Sequence, residues 1–469
     1  MYHETQMATS PSTVVPNRRY FRTPATAPGP SGPQMLRVMR SINRDSLGFL
    51  ASMNRRYGPV VQFPIPSPPT YLVSDPEAVR RVLVTRNRSY DKETLQYRAL
   101  SLVTGEGLLS TSGERWRRQR SIVQPAFHRD SLDAVGRHAA QAVDDLVDRW
   151  GDLSRGAVID MDEAMMRAAL EVVGRSLLGT DFSRNADRLA QATLHALDVV
   201  VARARVPITP PDWLPTPANR RLRAAVSELD AAVEEMIVDR QAHPAGRVDM
   251  LQMLIGAMQG TDAIGVREVR DEIVSFMVAG HETVASALVW AWWLVAGAPD
   301  VQDALAAESD AVLAGAPACF DDVKRLPFAR AVLDEAMRLY PPVWLVTRRA
   351  LESDVLGGRE IPRGALVIMT PYVVQRDPRY WDRPDDFDPG RFAERRGGGA
   401  EELATFWPFG LGPRMCLGRD FAYVEGILIL SALARRVQVE RLPGQVRPSP
   451  QAGVTLRPEG ALPLVVRGR

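Results

Sequence analysis

The chain has 469 residues, and 45% of them are hydrophobic, which is typical of a globular protein. Lysine and arginine number 58 against 56 aspartate and glutamate, so the net charge of +2 gives no global field that could capture nucleic acid. No uninterrupted apolar stretch reaches about 18 residues, and we therefore predict no membrane span. The two cysteines, Cys319 and Cys416, imply no disulfide framework and favour a reducing cytoplasm.

Residues 1–34 are polar and rich in proline, as in the segment PATAPGPSGP, and they lack the compact apolar stretch of a secretion signal. We predict that they form a flexible leader. A chain of this length would ordinarily contain two or three domains. No linker and no internal repeat interrupts residues 57–469, however, so we predict a single domain over residues 35–469.

The predicted elements change in type along the chain. Residues 57–75 predict two short strands around a proline-rich turn, and helical patterns dominate from Pro76 to about Tyr340. They include a helix around Trp116 and helices over residues 132–150, 219–242 and 266–296. The last is apolar almost all round, which predicts a helix buried at the centre of the protein. Short strands and turns follow Tyr340, and one more helix follows Cys416. The pattern predicts a mainly α fold with a small β portion, of the α+β class.

The segment FGLGPRMCLG, residues 409–418, sets Cys416 apart from Cys319. Cys319 lies in a loop and is predicted to be a small buried side chain. An anionic sulfur ligand needs backbone amides close by, and Gly410, Gly412 and Gly418 leave room for them. The helix predicted after Cys416 also places the sulfur near a helix N-terminus, which favours a thiolate.

Phe409, Gly412, Arg414, Cys416 and Gly418 fill every fixed position of the cytochrome P450 cysteine signature. A chance match in a chain of this composition is expected about once in 10,000 sequences. The chain therefore resembles the cytochrome P450 family, in which haem b (iron protoporphyrin IX) lies between the long central helix and the cysteine loop. The resemblance implies that Cys416 is the axial metal ligand, that Arg414 binds a propionate, that Phe409 shields the sulfur and that the glycines on either side border the haem.

Glu335 and Arg338 lie three residues apart on one helical face, within the segment LPFARAVLDEAMRLYPPV. An isolated pair of this kind is usually a solvated surface pair. This pair sits in an otherwise apolar segment, at about the distance from the cysteine that the family shows. The resemblance implies a buried network of Glu335, Arg338 and Arg391 that supports the cysteine loop. The family usually has glutamate where this chain has Gly390, but Arg391 is retained.

The central helix carries the segment AGHET, residues 279–283, in which an acid stands beside a hydroxyl in apolar surroundings. Burying such a pair is costly without a purpose. The alternative is a hydroxyl bonded to a helix carbonyl beside a salt-bridged acid. By resemblance, Ala279 and Gly280 lie over the iron, Thr283 hydrogen-bonds bound oxygen, and Glu282 belongs to the proton relay. A local widening of the helix is predicted there. His281 falls at a variable position of the family and is not predicted to be a ligand.

Arginines are predicted to hold the two haem propionates. Trp116 and Arg120 are one turn apart in the segment GERWRRQR and can hold the same propionate. Arg349, in the segment TRRALESD, matches another propionate-binding position of the family, and Arg348 is the nearby alternative. Together with Arg414, three guanidiniums would neutralise the two carboxylates.

Four stretches match the substrate pocket of the family: residues 95–109, the centre of the long helix, residues 343–346 and the turn at residues 453–454. The side chains predicted to point inward are all apolar, and they are Leu95, Leu108, Leu109, Phe276, Val343, Trp344 and Val454. No charge sits in residues 343–346, so an ionised group there would be left unpaired. We therefore expect an apolar substrate held mainly by shape, such as a terpenoid or polyketide-type secondary metabolite.

The resemblance implies a monooxygenase that inserts one oxygen atom from O2 into a hydrophobic substrate, by hydroxylation or epoxidation, with Glu282 and Thr283 as the catalytic pair. Two alternatives are a haem-binding scaffold or sensor without turnover, and a peroxide-driven oxygenase of the same fold. The scaffold has no need of the acid–alcohol pair, and peroxide-driven relatives usually replace it. The pair therefore favours the monooxygenase.

The electrons are expected to come from a separate protein, because only about 50 residues follow Gly418. We predict a ferredoxin or flavodoxin with its reductase as partner. Arg115, Arg117 and Arg118 flank the propionate-binding pair and are predicted to form part of a basic docking patch, with a merely solvated charged face as the alternative. The protein is expected to be a cytoplasmic monomer that binds no nucleic acid.

Overall fold

The computed structural model describes residues 25–32, 34–35, 42, 44–64, 69–179, 196–197, 199–201, 211, 213–243, 249–259, 263–314, 318–394 and 404–469. Most of the predicted leader, residues 1–24, lies outside the described residues. The proline-rich turn at residues 65–68 also lies outside them.

Helices dominate the described residues, as the sequence predicts. In chain order they are α1 (Ser46–Tyr57), α2 (Pro76–Arg80), α3 (Leu95–Thr104), α4 (Gly113–Val123), α5 (Arg129–Trp150), α6 (Met161–Val173), α7 (Pro217–Ala242), α8 (Met250–Gly256), α9 (Val266–Val295), α10 (Pro299–Leu313), α11 (Pro327–Leu339), α12 (Pro371–Val374), α13 (Gly390–Glu394) and α14 (Arg419–Arg436). Short helical turns of the π or 3₁₀ type lie at Arg81–Thr85, Asn87–Ser89, Gln124–Phe127, Gly174–Leu178, Phe320–Arg325 and Gly412–Arg414.

The strands are short and form a small part of the fold. They are β1 (Val60–Phe63), β2 (Thr70–Val73), β3 (Tyr90–Asp91), β4 (Ala157–Asp160), β5 (Val346–Ala350), β6 (Asp354–Leu356), β7 (Arg359–Ile361), β8 (Leu366–Met369), β9 (Val437–Arg441), β10 (Pro450–Ala452), β11 (Leu456–Pro458) and β12 (Pro463–Gly468). The α+β class predicted from the sequence is therefore confirmed.

The largest sheet has the strand order β1-β2-β8-β5-β3. The predicted strand pair before Pro76 is confirmed as β1 and β2, which are antiparallel with Val60 opposite Val73. Strands β6 and β7 form a hairpin through Gly357 and Gly358, whose positive φ angles of 52° and 72° match a two-residue turn that favours glycine. The sheet brings β5 to the edge of the cavity described below.

Helix α9 is the buried centre of the protein, as its apolar sequence predicts, and its observed bounds agree with the predicted ones. Its side chains are enclosed mainly by α6, α11 and α14. The Trp290 ring stacks on Tyr340 with ring centres 3.7 Å apart, and its indole N–H donates to the Leu456 carbonyl at 2.8 Å. Among the described residues this helix alone is long and apolar enough to cross a membrane, and it is mostly buried in the protein.

Two local expectations are wrong. The predicted widening of α9 near Thr283 does not occur, because residues 266–295 form one uninterrupted α-helix. A Cβ atom on Gly280 would lie 3.0 Å from a methyl of Val173, so this glycine lets α6 pack closely against the helix. Cys319 is exposed rather than buried, because it precedes the turn Phe320–Arg325, and its amide donates to the Asp322 carboxylate at 3.0 Å.

Candidate active site

A cavity of about 630 Å³ lies between the centre of α9, the cysteine loop, strand β5 and helix α3. Most of the residues predicted for the site line it. They are Trp116, Arg120, Leu108, Leu109, Phe276, Ala279, Gly280, Thr283, Val343, Trp344, Phe409, Gly410, Arg414, Cys416, Gly418 and Val454. Three residues predicted for the site, Leu95, Glu282 and Arg349, do not line it.

The cysteine loop turns back on itself so that Cys416 faces the cavity. The amide of Cys416 donates to the Phe409 carbonyl at 2.9 Å, and Gly410 and Gly412 adopt φ angles of 75° and 69°. These positive angles favour glycine. A Cβ atom on Gly412 would also lie 2.3 Å from the Leu83 carbonyl oxygen, so the loop packs directly against the backbone of the turn Arg81–Thr85. The glycines of the loop are therefore required by its backbone conformation and by its close packing.

The Cys416 thiol has a mixed electrostatic environment. Burial raises its pKa, while a hydrogen bond from the Gly418 amide and the nearby Arg120 guanidinium lower it. Both lowering effects favour the thiolate over the thiol. The Phe409 ring packs on Tyr423, with ring centres 5.0 Å apart, and lines the same cavity as the sulfur. This packing fixes the ring beside the sulfur.

Four cationic side chains line one end of the cavity: Lys92, Arg120, Arg348 and Arg414. Burial, with Arg348 close by, lowers the pKa of Arg414 to about 10, and burial lowers the pKa of Arg120. Burial also holds the pKa of Lys92 well below its usual value, and Arg348 and Arg414 lower it further. No aspartate or glutamate of the described residues lines the cavity. An anionic ligand would relieve this concentration of positive charge.

Trp116 organises the cationic end. The Arg414 guanidinium lies 4.2 Å from the centre of its ring, and the Arg120 guanidinium lies 5.5 Å from it. Arg414 also donates to the Thr111 carbonyl at 2.7 Å, and Arg120 donates to the Met415 carbonyl at 3.3 Å. Both guanidiniums are therefore positioned by the loops that flank the cavity.

The prediction that Arg349 reaches the cavity is wrong by one residue. Arg349 forms ion pairs with Asp91 at 2.5 Å and Glu93 at 2.7 Å. Successive residues of a strand point to opposite faces, so Arg348, the alternative named from the sequence, points into the cavity instead. Arg348 is buried and donates to the Tyr97 hydroxyl at 3.3 Å.

Lys92 is a cation of the site that was not predicted from the sequence. Its ammonium donates to the Leu109 carbonyl at 2.7 Å and lies 4.9 Å from the centre of the Tyr97 ring. The surrounding segment YDKET is polar and gives no local signal that this lysine is enclosed by the fold. The burial depends on α3 and on the loop that carries Leu109.

The acid and the hydroxyl of α9 occupy different surroundings. The Thr283 side chain lines the cavity, and its hydroxyl donates to the Ala279 carbonyl at 2.5 Å. The Glu282 side chain is buried beside the cavity wall and accepts a hydrogen bond from the Thr455 hydroxyl at 3.3 Å. Thr455 itself lines the cavity, so it connects the carboxylate to the cavity wall.

The predicted apolar wall is formed except at Leu95. Leu95 begins α3 and is 45% exposed, while Leu100, on the opposite face of that helix, takes its place at the cavity. The Trp344 indole donates to the Gly453 carbonyl at 2.9 Å, and its own carbonyl accepts from the Thr370 hydroxyl at 2.7 Å. These two bonds hold a large apolar side chain at the cavity wall.

Glu335, Arg338 and Arg391 form a network beneath the cysteine loop. Glu335 and Arg338 are fully buried and make two hydrogen bonds to each other, at 2.7 and 2.9 Å. Arg391 donates to the same carboxylate at 3.0 Å, and so does the amide of Asp388. The structure therefore brings together the three residues that the sequence reasoning grouped, although Gly390 replaces the usual glutamate.

Haem fits this site on two observations. The cysteine sulfur is supplied with a backbone amide and faces the cavity, as an iron ligand requires. The cationic end is free of acids among the described residues, so it would match the two carboxylates that haem carries. A cavity lined by a cysteine sulfur, a cationic end and an apolar wall has the features that a haem-thiolate oxygenase requires.

Comparisons with known proteins agree. The family model described as cytochrome P450 matches residues 28–465. The cyclooctatin synthase of Streptomyces melanosporofaciens is 36% identical over 90% of this chain and 91% of its own, and the cyclooctat-9-en-7-ol 5-monooxygenase of the same organism is 34% identical over 92% and 93%. The crystal structure of CYP175A1 from Thermus thermophilus has a TM-score of 0.75 and 33% identity, covering 94% of this chain and 100% of its own.

The chain belongs to the cytochrome P450 family. It is a monooxygenase that inserts one oxygen atom from O2 into a hydrophobic substrate, and it requires a redox partner for electrons. The function predicted from the sequence is confirmed at this level.

Proposed function

We propose that the cofactor is haem b, with Cys416 as its iron ligand and with its propionates held by Trp116 and the cationic side chains at the end of the cavity, namely Lys92, Arg120, Arg348 and Arg414. The observation that carries this proposal is that the sulfur and the cations line one cavity that contains no described acid. When bound, the haem supplies oxygen activation, and thiolate ligation favours O–O cleavage.

The protein supplies protons and excludes water. Thr283 holds a proton at Oγ1 at the cavity wall, where a turn of its side chain away from the Ala279 carbonyl directs that proton into the cavity. The Glu282 carboxylate lies behind the wall, where it takes up and passes on a proton, and the Thr455 hydroxyl links it to the cavity. Oxygen activation consumes two protons, so both groups have a role. Phe409 shields the sulfur from water.

The substrate proposed is a terpenoid or a similarly polycyclic apolar molecule, with a polyketide-type metabolite as the second class. Apart from the cations, the cavity is lined mainly by apolar side chains, including Leu100, Leu108, Leu109, Val343 and Trp344. Burial of apolar area is therefore the dominant attraction available. The two similar Streptomyces enzymes are named for cyclooctatin compounds, and the name of one describes an alcohol as its substrate. We further propose a cytoplasmic monomer with a single catalytic domain over residues 35–469.

Coupled turnover tests the function. With NADPH, a surrogate ferredoxin and its reductase, the wild-type protein should form an oxygenated terpenoid in step with NADPH consumption. Thr283→Ala should keep haem and substrate binding but divert most reducing equivalents to peroxide or water, because the proton donor at the cavity wall is lost. Glu282→Gln should slow the turnover. Product and NADPH are measured together by mass spectrometry and absorbance.

Ser286→Ala is the matched control, since this hydroxyl lies one turn further along α9 and donates to the Leu456 carbonyl, outside the cavity. Its coupling should equal that of the wild type. Turnover with peroxide but not with NADPH would instead support the peroxide-driven alternative, and turnover with neither would support the scaffold. If Thr283→Ala and Glu282→Gln form as much product per NADPH as the wild type, the proposed roles of these residues in proton delivery are wrong.

The proposed redox partner is a ferredoxin or a flavodoxin with its reductase, docking near α4. The basic patch named from the sequence is partly neutralised by neighbouring acids. Arg115 forms ion pairs with Glu106 and Glu268, and Arg117 pairs with Glu114. Arg118 donates to the Ala263 carbonyl at 3.3 Å. The positive potential is therefore weaker than three unpaired arginines would give.

Reduction by an acidic ferredoxin should slow as salt rises, because surface charges are screened beyond about 8 Å at physiological ionic strength. Reversing Arg117 and Arg118 to glutamate should lower the reduction rate about tenfold at low salt. Stopped-flow reduction of the holoenzyme measures both effects. The control reverses two exposed arginines of α7, Arg220 and Arg221, and should change little. A rate that is flat in salt and unaffected by the reversals would refute the docking site.

A further inference from the structure

The wall of the cavity contains two polar atoms with no hydrogen-bond partner among the described residues. They are the side-chain oxygen of Gln96 on α3 and the hydroxyl of Ser275 on α9. Every other buried polar side-chain atom of the described cavity lining has a partner, as Lys92, Arg348, Trp344 and Thr283 illustrate. A buried polar atom without a partner lowers stability, so its retention at a ligand site calls for an explanation.

The two residues lie on helices that pack against each other, and both line the cavity. Gln96 and Leu100 are four residues apart on the cavity face of α3, whereas Leu95 and Arg98 are exposed on its other face. Ser275 is 2% exposed, and a Cβ atom on Gly107 would lie 2.2 Å from its hydroxyl. The backbone of Gly107 therefore covers the hydroxyl in this conformation.

Both side chains have a rotatable bond beside the cavity that they line. Rotation about χ1 moves the Ser275 hydroxyl away from Gly107, and rotation about the last torsion of Gln96 exchanges its amide oxygen and nitrogen. The amide offers both a donor and an acceptor, and the hydroxyl also offers both. Together they suit one uncharged oxygen function, such as a hydroxyl or a carbonyl. A substrate carboxylate would need a cation beside it, and the cations of the cavity are those assigned to the haem propionates.

We infer that the substrate already carries a hydroxyl or carbonyl oxygen, which Gln96 and Ser275 hold away from the point of oxidation. This inference rests on the proposed terpenoid substrate and makes it more specific. Ser275 and Thr283 are eight residues apart on α9, which corresponds to about 12 Å along the helix axis. The existing oxygen and the newly oxidised carbon therefore lie at opposite ends of the molecule. The reaction that supplies this substrate is an oxygen-installing step, a hydration or an earlier hydroxylation.

The test compares a hydrocarbon with its alcohol on one skeleton. Spectral titration of the holoenzyme with cedrene and cedrol measures the two affinities directly, without any variant. Cedrol should bind about tenfold more tightly, because two hydrogen bonds replace two unpartnered atoms. Equal affinities would overturn this inference and leave the terpenoid proposal standing. If neither compound binds, the proposed substrate class fails, and this inference fails with it.

Variants locate the effect at the two residues. Ser275→Ala and Gln96→Leu should each weaken cedrol binding severalfold and leave cedrene binding within about twofold, because only the alcohol uses the polar atoms. Equal losses for both ligands would show a general role in packing and overturn the assignment. A double-mutant cycle between each variant and the ligand pair gives the coupling of each residue to the ligand oxygen.

Two residues outside the cavity serve as matched controls, because each also has a buried polar atom without a partner among the described residues. Ser431 on α14 has a buried hydroxyl without a partner among the described residues, and Gln252 on α8 has a buried side-chain oxygen in the same condition. Neither residue lines the cavity. Ser431→Ala and Gln252→Leu should leave the preference for cedrol unchanged. A loss of preference in these controls would trace the effect to stability rather than to recognition, which contradicts the inference.

Discussion

Cys416→His is expected to abolish the strongly red-shifted Soret band of the reduced, carbon-monoxide-bound holoenzyme and essentially all monooxygenation. Two groups at this position favour an anionic sulfur, although burial is the largest effect and raises the thiol pKa overall. The Gly418 amide and the Arg120 guanidinium both lower the thiol pKa against the effect of burial. A neutral imidazole gains nothing from either group. Histidine can ligate iron, as in oxygen carriers, but it does not donate the electron density that favours O–O cleavage.

Absorption spectra and product formation are measured on the same preparations, after haem content has been matched. Cys319→Ser is the control, because Cys319 is the other cysteine of the chain. It is exposed beside a turn and does not line the cavity. The variant should keep both the band and the activity. Retention of the red-shifted band by Cys416→His would mean that another group ligates the iron.

The cysteine loop could be predicted because its requirements are local. Gly410 and Gly412 serve the local demand of a positive φ, although the contact of Gly412 with Leu83 depends on a distant part of the chain. The apolar residues of α9 form one continuous segment of the chain, so its central position could be predicted from the sequence alone. Both features depend on short stretches of chain, and the fold class followed from them.

The choice between Arg348 and Arg349 depended on a partner far away in the sequence. Asp91 of β3 lies directly opposite Arg349 in the antiparallel pair with β5. That register directs Arg349 to its acids and Arg348 to the cavity. Two adjacent arginines look identical in a sequence, because the face that each occupies is set by a strand more than 250 residues away.

The burial of Lys92 and the orientation of Glu282 could not be predicted, for a related reason. A lysine in a polar segment is usually at the surface, and only the packing of the loop at Leu109 encloses this one. Glu282 was expected beside Thr283 at the cavity, but the helix turns adjacent residues apart by about 100°. It therefore points to Thr455, which is 173 residues further along the chain.

Glu335→Gln is expected to lower the free energy of unfolding by about 3–5 kcal/mol and to reduce haem retention. The carboxylate accepts hydrogen bonds from Arg338, Arg391 and the amide of Asp388. Glutamine keeps one acceptor oxygen but not the charge, so the fully buried Arg338 guanidinium loses its counter-ion and retains the carbonyls of Gln375, Pro384 and Asp386 as partners. An uncompensated buried charge is far more costly than a lost surface pair.

The effect should reach the cysteine loop through Gln375. Its side chain donates to the Met337 carbonyl at 3.0 Å and accepts from the amide of Trp407 at 3.1 Å. Trp407 lies two residues before Phe409, where the cysteine loop begins. Disturbing Arg338 therefore disturbs the loop that carries the iron ligand, so haem should dissociate faster from the variant. Haem transfer to apomyoglobin measures that rate.

The chain contains a matched control with the same spacing. Glu77 and Arg80 form an i,i+3 pair at 2.8 Å, but their side chains are 66% and 34% exposed. Glu77→Gln should cost no more than about 1 kcal/mol, because solvent screens an exposed pair. Arg391→Gln, at the partly exposed edge of the buried network, should fall between the two and remain measurable if Glu335→Gln does not fold. Urea unfolding of the three variants ranks their losses in the free energy of unfolding. If Glu335→Gln were as mild as Glu77→Gln, the buried network would not support the fold.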